Sequence, residues 1–217
     1  TGNLGQGLST GVGFALAAKY KNKNYHVFVV MSDGESAKGQ VQEARRTARK
    51  YNLDNLTVIV DYNDIQISGH AHEVMYVDIK SEFEAAGWRV IEIDGHDHEQ
   101  ILSALKIAKN DGHPTAIIAH TIIGKGVDFM EDKPDYHGKP LSKDELEKAL
   151  QQLGIGNDVE KYIELRKKLP VKAHEKVKLS YEVNINIGNP RIYDKSTDNR
   201  SALGRAITDL ATINDNV

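Results

Sequence analysis

Short runs rich in β-branched residues alternate with longer stretches of helical periodicity along most of this chain, and that alternation restricts its fold more than any other feature. Residues 26–31, 56–60, 89–93 and 115–120 read as strands. Residues 8–20 interleave small and apolar side chains, as a close-packed buried helix does. Residues 40–51 place Val41, Ala44 and Ala48 on one helical face and arginines elsewhere. Helices are also expected over 79–86 and 99–110. Because strand side chains point alternately to opposite faces, strands that are apolar almost throughout must be covered on both. Parallel neighbours in turn need crossovers of about a dozen residues or more. The expected fold is therefore α/β, a doubly wound parallel sheet with helices on both faces, over residues 1–152.

Beyond residue 152 the alternation lapses. Residues 161–168 read as a charged helix, 170–190 as a polar surface linker, and 201–211 as a helix with Leu203, Ile207 and Leu210 at helical spacing. The expected division is a first domain over 1–152, a helical and extended linker over 153–199, and the opening of a second domain over 200–217. Composition mainly excludes. A net charge of -3 provides no basic field for nucleic acid. The chain has no cysteine, so disulfides, thiolate metal sites and cysteine nucleophiles are ruled out, and a cytoplasmic setting fits. The apolar runs are too short to cross a bilayer, so no membrane partner is expected. The chain opens at Thr1 inside a glycine-rich stretch, and a preceding segment is expected.

Ligands of open α/β sheets bind at the carboxyl ends of strands, and two such ends here are polar. The first delivers Ser32-Asp33-Gly34, and the second, thirty residues on from Asp33, delivers Asn63. One crossover helix fits in that interval, so adjacent parallel strands would set Asp33 beside Asn63. A carboxylate and an amide oxygen are hard ligands suited to Mg²⁺. Gly34 would let the backbone approach a phosphate. Asp-Gly alone is most often a turn. Two His-x-His pairs, His70/His72 and His96/His98, have zinc-like spacing, although histidines in polar loops more often hydrogen-bond or face water. The glycine-rich start would suit a dinucleotide-binding loop only if a strand preceded it.

Ser32-Asp33-Gly34, followed by Asn63 within Asp-Tyr-Asn-Asp-Ile-Gln-Ile-Ser-Gly, resembles the thiamine-diphosphate motif, a Gly-Asp-Gly that closes on Asn. Three more stretches resemble the transketolase family: Thr1-Gly2-Asn3-Leu4-Gly5-Gln6-Gly7, Asp94-Gly95-His96-Asp97, and Thr121 to Gly126 leading to His137-Gly138-Lys139-Pro140-Leu141. The resemblance implies a thiamine-diphosphate-binding fold and the transfer of a two-carbon ketol unit from a ketose phosphate to an aldose phosphate. It implies that Asp33, Asn63 and the carbonyl of Ile65 hold Mg²⁺, with Ca²⁺ or Mn²⁺ as substitutes. Gly34 would contact the diphosphate, Gly2 and Leu4 the ring system and Ile67 the thiazolium, while His137 would face the substrate as a proton carrier. The family's pyrimidine domain, usually from another subunit, carries an activating glutamate, so a homodimer or a partner pyrimidine-domain chain is expected. Two positions depart from the family. Ser32 replaces a glycine, and Lys38 replaces a glutamate that belongs to a carboxylate network at the subunit interface. Alternatives are a deoxyxylulose-phosphate synthase-like enzyme, a non-catalytic diphosphate-binding or dimerisation module, and a nucleotide-binding oxidoreductase.

Overall fold

The computed structural model describes residues 2–169 and 184–215. Two compact units divide between Val159 and Glu160. In the first, α1 (Gln6–Tyr20) leads to β1 (Val27–Ser32), a short 3₁₀ turn and α2 (Gly39–Lys50). Next come β2 (Leu56–Tyr62), a hairpin of β3 (Ile65–Gln66) and β4 (Gly69–His70), and the short α3 (Ala71–Val74). The unit continues with α4 (Ile79–Ala85), β5 (Arg89–Asp94), α5 (His98–Ala108), β6 (Thr115–His120) and α6 (Lys143–Gln152). α7 (Val159–Lys168) begins at the division, and α8 (Asn199–Ile213) lies in the second unit. No helix of the described residues is long and apolar enough to cross a membrane.

The sheet is parallel, in the order β1-β2-β6-β5. After β2 the chain passes to the far edge to form β5 and returns to insert β6, so the winding reverses between β2 and β6. Side-chain parity then divides the core in two. Val29, Met31, Val58, Val60, Ala116 and Ile118 face α1, α2 and α4, where they meet Leu8, Val12, Val41, Ala44 and Phe83. Ile93, Ile117 and Ala119, with Ile59 and Ile91, face Ala104 and Ala108 of α5. Helices thus lie on both faces, as the apolar strands require. On the α5 side the cover stops short of the edge strand, leaving Phe28 and Val30 exposed.

α1 packs close because it lacks a side chain where it crosses β1: a Cβ on Gly11 would collide with Val29 Cγ2. α6 starts at a capping box, in which Ser142 Oγ accepts from the Glu145 N–H and the Glu145 carboxylate accepts from the Ser142 N–H. The β3–β4 hairpin and α3 occupy a stretch that the sequence presents only as a histidine-containing loop. Their segments are two and four residues long, below the reach of any periodicity. Of the polar stretch 170–190, residues 170–183 lie outside the described residues. In the second unit Arg191 forms a two-pronged pair with Asp209 of α8, at 2.8 and 2.6 Å.

Candidate functional site

β1 and β2 are paired in register with Ser32 opposite Asp61, so their carboxyl ends finish together. The Asp33 N–H donates to the Asp61 carbonyl at 3.2 Å, continuing that ladder by one step. The Asp33 side chain, buried at 4% exposure, opens the 3₁₀ turn Gly34–Ala37. Its Oδ1 accepts from the Gly34 N–H at 2.6 Å and its Oδ2 from the Asp64 N–H at 2.7 Å. The second bond ties the end of β1 to the loop after β2. Asp64 sits in the left-handed region at φ 56, uncommon for a residue with a side chain. Just before it, Asn63 Oδ1 accepts from the Ile65 N–H at 2.9 Å, a local Asx turn.

Burial pushes the Asp33 carboxyl above its ordinary range; the two backbone N–H bonds oppose this, and Asp61 and Asp64 add to the rise. Asp33 has no ion-pair partner among the described residues. A buried carboxylate in acidic company, lacking a cationic side chain, is chemically suited to a bound divalent cation. The oxygens of Asp33 and Asn63 each accept one N–H bond and can offer their remaining lone pairs.

A cavity of about 450 Å³ opens at this place, lined by Leu4, Asp33, Gly34, Asn63, Ile65, Ile67 and His137, with Glu35, Gln66 and Val74. The fold therefore brings together every candidate site residue except Gly2, which is exposed and does not line the cavity. Around the opening, Leu4, Ile67 and Val74 are 61%, 80% and 43% exposed, an apolar rim beside a charged floor. His137 follows the 3₁₀ turn Pro134–Tyr136. Its loop is tied to α6 by Tyr136 Oη and Lys139 Nζ, both donating to Glu145, at 3.2 and 3.1 Å. A larger cavity of about 510 Å³ lies at the ends of β5 and β6, between His96, Gln100, His120 and Lys125, and holds none of these residues. The chemistry of the donors, not the size of the hole, makes the smaller cavity the candidate site.

Glu35 is the cavity-lining position that sequence reasoning passed over. Its carboxylate accepts from the Gly5 N–H at 2.5 Å and from the Ser32 N–H at 2.9 Å, pinning the glycine-rich stretch to the end of β1. The available signal was an acid in the first turn after Asp-Gly, a favoured place for negative charge. Gly5, at φ 85, makes that approach, and a Cβ there would lie 2.9 Å from Lys38 Cβ. Ser32 is not among the residues of positive φ, so serine is tolerated where the motif carries glycine. Lys38 is exposed at the start of α2. His96 Nε2 accepts from the Ile122 N–H at 2.9 Å, whereas His70 and His72 gather around Asp64.

Residues 1–186 match the family described as transketolase, thiamine diphosphate binding domain. Among similar curated proteins is an apulose-4-phosphate transketolase subunit of Phocaeicola vulgatus, 39% identical over 155 residues, which cover 70% of this chain and 55% of that protein. The transketolase of Homo sapiens is 36% identical over 225 residues, covering 100% of this chain and 34% of the other. Among solved structures, the transketolase from Campylobacter jejuni superposes with a TM-score of 0.67 at 37% identity, over 70% of this chain and 25% of that one. A Pichia stipitis transketolase in complex with sedoheptulose-7-phosphate superposes with a TM-score of 0.68 at 30% identity, over 72% and 25%. The chain spans between about a third and a half of the length of these curated relatives.

Proposed function

The chain belongs to the transketolase family through its thiamine diphosphate binding domain, and from that premise we propose that it supplies the diphosphate- and metal-holding half of a transketolase-type active site. The observation that carries this is the single cavity shared by Asp33, Gly34, Asn63 and Ile65 on its polar side and Leu4, Ile67 and His137 around it. Asp33, Asn63 and the Ile65 carbonyl would hold Mg²⁺, or Ca²⁺ or Mn²⁺ in its place, because these are hard oxygen donors. Gly34 would turn its N–H, which now serves Asp33, toward a phosphate oxygen. When bound, thiamine diphosphate supplies the electron sink for breaking a carbon–carbon bond of a ketose. Leu4 and Ile67 would exclude water from that region. His137 would exchange a proton with a substrate hydroxyl.

Sugar phosphates are the proposed substrates, a ketose donor and an aldose acceptor, and the sedoheptulose-7-phosphate complex of the P. stipitis relative supports that class. The activity requires a pyrimidine-binding domain, from a second copy or a partner chain. The P. vulgatus relative, named as one subunit of its enzyme, supports a partner chain. Residues 1–152 would form the diphosphate domain, 153–199 the linker and 200–217 the opening of the pyrimidine domain. The synthase-like alternative is not favoured, since the relatives above are transketolases.

Calorimetry with thiamine diphosphate and Mg²⁺ tests the site. Asp33→Asn removes the charge and keeps one of the two oxygens that accept from the Gly34 and Asp64 N–H groups. Affinity should fall by more than the roughly 10–100-fold that losing an outer-shell partner costs a metal site. Equal affinity in the variant and the parent would overturn the assignment.

A further inference from the structure

We propose that Asp64, His70 and His72 form a second metal site, for a zinc-type transition ion, on the hairpin that lines the cavity. Two imidazoles and a carboxylate are donors that zinc accepts, whereas the Asp33–Asn63 pair offers only hard oxygens. The two sets are therefore tuned to different ions.

Local geometry brings the three donors together. β3 and β4 pair antiparallel with Ile65 opposite His70, which returns the chain to Asp64. His72 follows on α3. His72 Nδ1 lies 2.9 Å from Asp64 Oδ2, and His70 Nδ1 lies 3.5 Å from the same oxygen. One ligand atom from each residue lies within 4.8 Å of the other two. Metal–ligand bonds of about 2.0–2.2 Å at tetrahedral angles would set such atoms roughly 3.3–3.6 Å apart, so closing on an ion needs only small side-chain movements. The two rings are already stacked, with centroids 5.4 Å apart and planes at 26°.

The backbone beneath the donors is held from several directions. The Asp64 N–H is bound to Asp33 Oδ2, and the Asp64 carbonyl accepts from the Ala71 N–H at 2.8 Å. Little backbone ordering is then required on binding, the cost that most weakens short-loop sites. The side chains of Asp64, His70 and His72 are 33%, 34% and 56% exposed, which leaves a way in and a position for water. Gln66, Ile67, Ser68 and Val74 of the same segment line the cavity, so an ion at the triad braces one of its walls. This site does not depend on the proposed function of the cavity.

Zinc titration by calorimetry tests it, using the chain freed of metal by chelator and dialysis, in buffer with excess Mg²⁺. One zinc per chain should bind, and His70→Ala and His72→Ala should each weaken binding by at least about tenfold, as loss of a ligand outweighs loss of an outer-shell partner. Cobalt should give visible absorption bands that both variants lose. His72 is exposed, so its truncation leaves the fold intact, checked by circular dichroism. Asp64→Asn, which tolerates the left-handed backbone, should weaken zinc as well. Absence of zinc binding in excess Mg²⁺ overturns the proposal. So does unchanged binding by His72→Ala, which would put the zinc on other donors.

Discussion

Glu35 shows how much a single side chain can arrange at this site. Its two bonds hold the Gly5 and Ser32 N–H groups, and thereby place Leu4 at the rim. Glu35→Gln removes the charge that makes these bonds strong and should cost about 1–3 kcal/mol. Urea denaturation should show a lowered midpoint with an unchanged slope. Asp33 and Asn63 were legible as a pair because strand ends and crossover length constrain which residues can meet. Glu35 was not, because its partners are backbone N–H groups, one of them far away in the chain, and backbone donors leave no mark in the sequence. Asp64 was hidden in the same way: its value lies in a left-handed φ and two backbone bonds.

Among the elements, α1 and α6 are controlled by different physics. α1 depends on close approach, so Gly11→Ala forces a methyl against Val29. Overpacking of that kind costs about 1–3 kcal/mol, and the melting temperature should fall accordingly. α6 depends on its cap. The Glu145 carboxyl is held down at about 2, from 4.5, chiefly by the Ser142 backbone N–H, then by the Ser142 side chain and Lys139. A depressed acid stabilises the fold above its unfolded value and loses that contribution as pH falls through the folded one. The start of α6 should therefore loosen as pH drops from about 4.5 toward 2. Amide exchange of residues 143–147 would follow this, and Glu145→Gln should flatten the pH dependence. Ser142→Ala should cost about 1 kcal/mol at neutral pH.

For the molecule as a whole, ligand linkage offers a direct check. If the cavity binds thiamine diphosphate with Mg²⁺, the pair at about 100 times its dissociation constant should stabilise the chain by about 2.7 kcal/mol, and chelation of the metal should reverse the gain. A thermal melt with each component omitted would show it. Lys38 belongs to this scale too. It is exposed and forms no ion pair among the described residues, so Lys38→Glu should leave the chain's own stability within about 0.5 kcal/mol. If an acid faces position 38 across a subunit interface, the same change should weaken self-association in sedimentation. Tighter association of the variant would contradict a lysine–acid pairing there.

What the sequence determined by itself was the sheet and the placing of Asp33 and Asn63 at neighbouring strand ends, where both line one cavity. Strand burial on two faces, crossover length and the carboxyl-end rule are local or topological constraints, and patterning alone expresses them. The tertiary structure decided the rest. It chose the order β1-β2-β6-β5, which left the Phe28 and Val30 face of the edge strand uncovered by α5. It folded residues 65–74 into a hairpin and helix too short for any period to announce. It also drew Asp64 to His70 and His72, whose zinc-like spacing is visible in the sequence while the third donor is not. The physical reason is the same in each case: these features rest on backbone hydrogen bonds and close approaches between segments, which depend on where the chain returns rather than on which residues it carries.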